Sequence, residues 1–315
     1  MAVETMLKLE EQDFARAFGI DVEELPEECK VLIAEKDFGY EVLEGPERDK
    51  VILDVLKRID SDRQVVGADE RQAVWDKGWT DNLKDFIESG YSLDKLIPRF
   101  IRPNQIIRFN GNYIRLSNPN FELDFYSIYR LWLFKEYFQE FDAVYEFGCG
   151  TGFNLVALAQ LYPEKRLHGL DFVRSSVELV NKIGEAYEWN ITGHLFDMLS
   201  PDESLRIEPE SAVFTIGAVE QLAGRFEPFL QWLLDQSPAL CVHVEPTIEL
   251  YDETRLFDYL AAKFHRKRGY TQGYLTRLRE LESRNEVQIL QVKRPFFGSL
   301  FMEGYALTVW KPCHV

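Results

Sequence analysis

Three glycines spaced by two limit the folds open to this 315-residue chain more than any other feature. They lie in the segment Ala-Val-Tyr-Glu-Phe-Gly-Cys-Gly-Thr-Gly-Phe-Asn at residues 143–154. The apolar start of this segment predicts a buried strand, and a helix is predicted to begin directly after the last glycine. Gly148, Gly150 and Gly152 permit a tight turn and let the backbone approach a ligand closely. The first amides of the helix can hold a carboxylate or a phosphate, so the turn is a candidate ligand site.

The glycine spacing argues against two common nucleotide sites. A dinucleotide fingerprint needs Gly-x-Gly-x-x-Gly, but here the third glycine comes one residue early and Phe153 occupies the required position. A phosphate-binding loop of the Walker type needs a Gly-Lys-Ser/Thr ending, which the segment lacks. The turn therefore has to serve another ligand or none.

From about residue 125 onward, predicted strands and helices alternate, which is typical of βαβ units in a parallel sheet. The last two strands have no helix between them, which indicates one antiparallel strand inserted at the edge of the sheet. We expect an α/β fold with a doubly wound, mostly parallel, seven-stranded sheet and an antiparallel last strand. The predicted strands are 143–147, 166–171, 191–196, 211–216, 240–244, 287–293 and 305–310, and the predicted helices are 125–138, 153–161, 175–187 and 226–234.

The N-terminal part has a different pattern and is predicted to be a mainly helical cap with a β-hairpin. Apolar residues recur at helical spacing in 48–59 and 75–87, and an Asn-Gly pair separates two β-prone runs within 106–116. We therefore divide the chain into a cap that determines substrate specificity, at 1–124, and a domain at 125–315. Aromatic residues of the cap are candidates for the pocket wall, with the core as the alternative: Trp75, Trp79, Tyr91 and Phe100. An insertion at 249–285 is a candidate lid.

The segment Glu-Phe-Gly-Cys-Gly-Thr-Gly, which begins at Glu146, resembles motif I of class I (Rossmann-like) S-adenosylmethionine-dependent methyltransferases. Three later segments match the family in order: the one ending at Asp171, the one containing Asp197 and Met198, and the one at 215–222. The closing pair of strands also matches, since the family's sheet has an inserted antiparallel seventh strand. The resemblance covers about residues 125–312. It implies S-adenosyl-L-methionine as the cofactor and S-adenosyl-L-homocysteine as the product.

The resemblance also implies roles for individual acidic residues. Asp171 would accept both ribose hydroxyls, because a carboxylate accepts two hydrogen bonds at once. Asp197 and Met198 would lie beside the adenine amino group, and Glu146 would order the glycine turn. Helix capping by Asp171 and a loop turn at Asp197 are the structural alternatives. The other residues predicted in the cofactor site from the family motifs are Gly148, Cys149, Gly150, Gly152, Asn154, Phe172 and Gly217.

Two residues on the helix before the first strand are candidates for the methionine end of the cofactor. Tyr126 and Arg130 are four apart and share one helix face. A planar guanidinium matches a carboxylate well. The alternative is a surface arginine beside a core tyrosine.

His243 and Glu245 are the candidate catalytic residues. Both lie at the carboxyl end of the predicted fifth strand, where open α/β sheets bind ligands. Strand alternation directs the two side chains to the same side, and a histidine can deprotonate an acceptor near neutral pH. A hydrogen-bonded polar pair inside the sheet is the alternative.

The acceptor site is weakly marked. Residues 263–274 form a strongly basic run in an acidic chain, and the sharper of two interpretations is a lid that meets an anionic acceptor with Arg268, Tyr270 and Tyr274. The other interpretation is a solvated helix end, where cations are favourable near the C-terminus of the helix. Tyr305 opens the last strand and can reach the same place. Gln221 stands where many relatives have a histidine, so a catalytic role there is in doubt.

Composition excludes several classes. The net charge of −17 and the pI of about 4.8 argue against nucleic-acid and membrane partners, which need a positive surface. The four cysteines are far apart, which favours free thiols in the cytoplasm. The histidine and cysteine spacings predict no metal site and no secretory or membrane segment is expected. Whether the chain forms a homodimer stays open.

Three functions remain. The first is methylation of a small-molecule acceptor on oxygen or nitrogen, with an anionic compound, a sugar or a secondary metabolite as the candidate acceptors. The second is a protein or peptide methyltransferase that docks a basic partner on the acidic residues 1–49. The third is a non-catalytic protein of the same fold that binds the cofactor. Aminopropyl transfer on the same fold is a minor alternative.

Overall fold

The computed structural model describes residues 6–67 and 69–313 and contains two β-sheets. The larger sheet has seven strands in the order β10-β12-β9-β8-β5-β6-β7. Its strands are β5 Ala143–Phe147, β6 Arg166–Asp171, β7 Ile191–Leu195, β8 Ala212–Ile216, β9 Leu240–Val244, β10 Val287–Lys293 and β12 Leu307–Pro312.

Five neighbouring strands of this sheet, from β9 to β7, are parallel. The last strand, β12, lies between β9 and β10 and is antiparallel to both. This order confirms the predicted doubly wound sheet with one inserted antiparallel strand. A parallel sheet of this kind brings the carboxyl ends of β5 to β9 to one edge, where the loops that follow them meet.

Helices cover both faces of the sheet. Residues along each strand alternate between the two faces, so each strand contributes apolar side chains to both cores. Val144 packs into one apolar core, whereas Ala143 and Tyr145 pack into the other. Helices of the first core include α5, α6 and α7, and helices of the second are α8 and α10. The bounds are α5 Phe121–Tyr137, α6 Phe153–Leu161, α7 Arg174–Tyr187, α8 Glu227–Gln236, α9 Leu256–Arg268 and α10 Tyr274–Ser283.

The N-terminal part combines four helices with the smaller sheet, whose strand order is β1-β2-β4-β3-β11. The predicted hairpin is present: Asn110 and Gly111 join β3 to β4, both with positive φ, as a tight two-residue turn requires. Its elements are α1 Glu11–Phe18, α2 Glu27–Glu35, α3 Gly45–Ser61, α4 Asp69–Glu88, β1 Leu7–Lys8, β2 Gly39–Val42, β3 Ile107–Phe109 and β4 Asn112–Leu116, with β11 Phe297–Gly298 supplied by the C-terminal part.

Because β11 pairs with β3, the two predicted regions share the smaller sheet. The insertion also joins them. Lys263 of α9 forms an ion pair with Asp60 of α3 at 2.7 Å, and Arg268 forms one with Asp62. The basic run therefore binds acidic residues of the N-terminal cap, and Thr271 near its end donates to the carbonyl oxygens of Val219 and Glu220 in the loop that follows β8. The lid stays a prediction.

None of the described helices is long and apolar enough to cross a membrane. Within the described ranges, no group of three His, Cys, Asp or Glu side chains is arranged to hold a metal ion.

Candidate functional site

A cleft of about 260 Å³ lies at the carboxyl edge of the larger sheet. Its walls come from the loops that follow β5, β6, β7 and β8, together with residues of the N-terminal cap. The structure thus brings together segments that are far apart in the sequence. The predicted residues that line the cleft are Gly148, Asp171, Phe172, Asp197, Met198, Gly217 and Gln221.

The glycine loop, residues 148–152, has a backbone conformation and close neighbours that disfavour side chains at its three glycine positions. Gly148, Gly150 and Gly152 have φ values of +71°, +53° and +72°, in the left-handed region that favours glycine. A Cβ atom at Gly148 would lie 2.4 Å from the Cβ of Ala218, and one at Gly150 would lie 3.0 Å from the indole ring of Trp79. The glycine loop therefore passes close to α4 on one side. On the other side it passes close to the loop that follows β8 and contains Ala218, which we call the β8 loop.

Cys149 is buried inside the loop and faces away from the cleft. Its Sγ lies 3.7 Å from Ser176 Oγ, and burial raises the pKa of the thiol well above its ordinary value. The Ser176 hydroxyl donates to the carbonyl oxygen of Gly150. Cys149 is therefore an unreactive thiol that helps to fix the loop.

Asp171 ends β6 and contacts both the glycine loop and the cleft. Its Oδ2 accepts the amide of Gly150 at 3.0 Å, and its Oδ1 accepts the amide of Val173 at 2.9 Å. Burial raises its pKa to about 6. A carboxylate can accept several hydrogen bonds at once, and Asp171 lines the cleft, so this side chain can hold the loop and also meet a hydroxyl group of a ligand.

The loop after β7 forms the end of the cleft that suits a flat ring. Asp197 is exposed there, and its Oδ1 accepts the amide of Leu199 at 2.8 Å. Met198 is half-buried, and the aromatic ring of Phe172 stays 38% exposed at the cleft. An exposed aromatic ring and a polarizable thioether are suitable neighbours for a purine.

Behind the glycine loop, Tyr126, Arg130, Glu146 and Asn154 form a buried polar cluster. Asn154 donates to Glu146 Oε1 at 2.7 Å, and its Oδ1 accepts the Tyr126 hydroxyl at 3.0 Å and Arg130 at 3.3 Å. Arg130 also donates to the carbonyl oxygen of Phe153 and lies 3.9 Å from the centre of that ring. Glu146 Oε2 is buried without a hydrogen-bond partner among the described residues. The cluster brings the predicted residues of the methionine end together, one layer below the cleft.

The buried Glu146 gives a prediction for pH dependence. Burial raises its pKa from 4.5 to about 8, since the hydrogen bond from Asn154 and the charge of Arg130 offset only part of the loss of hydration. Between these two pH values the folded chain holds a proton that the unfolded chain releases. The contribution of Glu146 to the free energy of unfolding should therefore fall as the pH rises from about 4.5 to about 8, by at most about 1.4 kcal/mol per pH unit.

The substitution Glu146→Gln keeps the shape of the side chain and cannot titrate, so it should remove this slope. Denaturant unfolding at a series of pH values measures it. The exposed Glu178 on α7 provides the control, because Glu178→Gln should keep the slope of the wild-type chain. An unchanged slope in Glu146→Gln would show that the buried carboxyl does not titrate in this range.

His243 and Glu245 do not face the cleft, contrary to the expectation from strand alternation. The Tyr274 hydroxyl bonds His243 Nε2 at 3.0 Å, and Thr215 Oγ1 bonds Nδ1 at 2.9 Å, so both ring nitrogens are occupied. Burial lowers the pKa of His243 to about 3. The imidazole is therefore neutral at physiological pH and enclosed, and no contact supports the predicted catalytic base.

Glu245 instead holds the β8 loop. Its Oε1 accepts the Thr215 hydroxyl at 2.7 Å and the amides of Ala218 and Val219 at 3.0 and 3.1 Å, and its Oε2 accepts the amide of Glu220 at 3.0 Å. This carboxylate thus binds the first amides of the 3₁₀ turn Val219–Leu222, whose residues Gln221 and Leu222 line the cleft. Glu245 is a positioning residue one layer below the site.

Of the predicted substrate residues, only Gln221 lines the cleft, and its buried Oε1 lacks a hydrogen-bond partner among the described residues. Tyr270 packs against Phe264 in the insertion, and Tyr305 packs against Tyr126. Tyr274 bonds His243 and Arg268 pairs with Asp62, as described above. These four residues therefore stabilise the walls around the site and are not part of the cleft surface.

The cleft also has lining residues that were not predicted as site residues. Trp75 and Trp79 of α4 stack with ring centres 5.4 Å apart, and both line the cleft. Arg225 and Gly67 line it as well. The sequence made the two tryptophans candidates for the pocket wall, but their helical spacing did not decide between that place and the core.

No model of a protein family matches this chain, and no curated protein matches it. The similar solved structures include an S-adenosylmethionine-dependent methyltransferase from Aquifex aeolicus, with 14% identity, a TM-score of 0.40, and 59% of this chain and 89% of that chain covered. Geranyl diphosphate C-methyltransferase from Streptomyces coelicolor A3(2) has 10% identity, a TM-score of 0.43 and coverage of 62% and 85%. A branched-chain polyamine synthase from Thermus thermophilus has 14% identity, a TM-score of 0.43 and coverage of 60% and 56%.

Proposed function

We propose that this chain is a methyltransferase that uses S-adenosyl-L-methionine and methylates a small-molecule acceptor on oxygen or nitrogen. The observation that carries the proposal is the composition of the cleft. Side chains and glycines that follow four different strands surround one space at the carboxyl edge of the sheet, in the order that motif I and the later motifs imply. The inserted antiparallel strand β12 agrees with the same family.

The residues present fit this cofactor. Asp171 lines the cleft at the position that the resemblance gives to the ribose, and Asp197, Met198 and Phe172 offer a polar and apolar edge for adenine. Behind the glycine loop, Arg130 and Glu146 lie one layer below the cleft and hold the loop from that side through Phe153 and Asn154. We assign the methionine end of the cofactor to this side of the loop.

The cofactor supplies an electrophilic methyl group on a sulfonium. Transfer to an acceptor is an in-line displacement, so the chain contributes mainly by positioning the two reactants, an effect that can be worth roughly 7–11 kcal/mol. The glycine loop and Asp171 hold the donor, and the β8 loop, held by Glu245, forms the wall beside it. No side chain of the described cleft needs to act as a base if the acceptor is already deprotonated, as a carboxylate, a phenolate or an unprotonated amine.

A small-molecule acceptor is favoured over a protein side chain because α4 lies over the cleft. Trp79 packs on Gly150, so α4 covers part of the cleft of about 260 Å³ to which we also assign the donor. Such a site encloses a compact molecule more readily than a segment of a folded protein. The protein alternative would use the acidic residues within 1–49 as a docking face for a basic partner. Two of these residues are Asp37 and Glu41, and the charge of Glu41 is already paired with Arg115 inside the cap.

Calorimetry tests the donor assignment. We expect the wild-type chain to bind both S-adenosylmethionine and S-adenosylhomocysteine, and Asp171→Asn to bind about 10–100-fold more weakly, because hydrogen bonds to a charged acceptor are lost. Asp202→Asn is the control, since Asp202 lies on the loop beyond β7 and bonds only Ser204 among the described contacts. A folded wild-type chain that binds neither compound would refute the proposal.

The acceptor class needs a second measurement. The chain is incubated with cofactor labelled in the methyl group and with a cell extract divided by size. Label in the small-molecule fraction supports the proposal, whereas label in the protein fraction favours a protein methyltransferase. Binding without label in either fraction would favour a non-catalytic protein.

A further inference from the structure

The tryptophan pair, Trp75 and Trp79, carries an inference that rests on the proposed function and extends it to the recognition of the donor. The two rings stack at 25° with centres 5.4 Å apart, and both are half-buried at the cleft. Leu83 and Phe86 lie one and two turns further along α4 and pack into the apolar core. The same helix thus directs apolar side chains into the core at one end and indole rings toward the cleft at the other.

The position of α4 is fixed on both sides of the glycine loop. After the helix, the carbonyl oxygen of Leu96 accepts the hydroxyl of Thr151, a residue of the loop, at 2.6 Å. The Tyr187 hydroxyl of α7 donates to the carbonyl oxygen of Tyr91 at 2.7 Å. Before the helix, Arg225 donates to the carbonyl oxygen of Gly67 at 3.4 Å. The helix therefore crosses the cleft between attached ends, and Trp79 is held over the loop.

Trp79 lies over the middle of the donor site. Its ring packs on Gly150, the residue whose amide bonds Asp171 at 3.0 Å, and Asp171 marks the ribose. The polar cluster marks the methionine end and begins below the same loop. The sulfonium of the donor is the atom that joins the ribosyl group to the amino acid. A donor that spans these two places has its positive charge close to the ring of Trp79.

We propose that Trp79, supported by the stacked Trp75, contacts the sulfonium and favours the cationic donor over the neutral product. The face of an indole ring attracts a cation, and this attraction is strongest when water is excluded. After methyl transfer the sulfur is an uncharged thioether, and the attraction is lost. The pair therefore helps the site to bind S-adenosylmethionine and to release S-adenosylhomocysteine.

Binding measurements on the full chain test this role. Trp79→Ala should weaken the binding of S-adenosylmethionine by about tenfold or more, and the binding of S-adenosylhomocysteine by a factor several-fold smaller. Trp79→Phe keeps an aromatic face and should retain most of the preference. Trp75→Ala should have a smaller effect in the same direction, because that ring acts through Trp79. Equal weakening of both compounds, or none, would overturn the proposal.

Tryptophan fluorescence gives an independent readout. Addition of S-adenosylmethionine should change the emission of the wild-type chain, and Trp79→Phe should lose most of that change. Trp189→Phe is the matched control, because Trp189 is also half-buried and stacked, on Tyr187, but does not line the cleft. If the wild-type chain binds neither compound by calorimetry, the proposed function itself fails. If it binds both and the emission change survives in Trp79→Phe, only the role of Trp79 fails.

Discussion

Gly148→Ala is expected to abolish measurable binding of S-adenosylmethionine and to destabilise the chain by about 2–5 kcal/mol. The φ of +71° at this residue adds about 1–2 kcal/mol of strain for any side chain. The new methyl group would also lie 2.4 Å from the Cβ of Ala218, and relief of such overpacking typically costs about 1–3 kcal/mol. The β8 loop or the glycine loop must then move, and both line the cleft.

The substitution Gly224→Ala separates these two effects. Gly224 has a similar φ of +77°, but a Cβ there meets no atom within 4 Å. It should therefore show the backbone strain alone and keep cofactor binding. Calorimetric affinity and denaturant unfolding of the two variants provide the comparison. Wild-type affinity in Gly148→Ala would show that the two loops are not as closely packed as the structure has them.

Glu245→Ala should lower the free energy of unfolding by about 3–5 kcal/mol, because it leaves several buried donors without an acceptor. Its carboxylate accepts the Thr215 hydroxyl and three amides of the β8 loop. Cofactor affinity should fall as well, since this loop is a wall of the cleft. Glu245→Gln should be intermediate, because the amide oxygen can replace one of the two carboxylate oxygens and the NH₂ group cannot accept.

These variants also test the original expectation of a catalytic pair. If Glu245 were the base, Glu245→Gln would keep wild-type stability and cofactor affinity while transfer of the methyl group stopped. A positioning role predicts that stability, affinity and transfer decline together. The pKa of His243, lowered to about 3 by burial, also predicts that the transfer rate shows no titration of this residue between pH 5 and 8.

The strands, many of the helices and several residues that line the cleft could be predicted because they depend on local pattern. The run Ala143–Phe147 and the glycines after it determine a strand and a turn within a few residues. The same holds for the hairpin at Asn110 and Gly111. By contrast, β11 is only two residues long and pairs with β3, far away in the chain, so no local signal marks it.

The expectations that the structure did not bear out share one physical reason. Strand alternation correctly gave His243 and Glu245 the same side, but it could not show that Thr215 and Tyr274 enclose the imidazole there. The basic run was visible, yet its partners Asp60 and Asp62 lie about two hundred residues earlier. Which surface a side chain meets is decided by tertiary packing, and a single sequence carries little information about it.

The position of β12 has a consequence for the order in which the molecule assembles. β10 is synthesised first, but in the finished sheet it pairs only with β12, which itself pairs with β9. β10 can therefore join the sheet only together with β12 or after it, and until β12 is in place, β9 is an open strand edge of the kind that promotes association between chains. The segment between β10 and β12 also supplies β11 to the smaller sheet. One late event on the folding pathway thus completes both sheets, and a nascent chain that stalls before it is expected to be a substrate for chaperones.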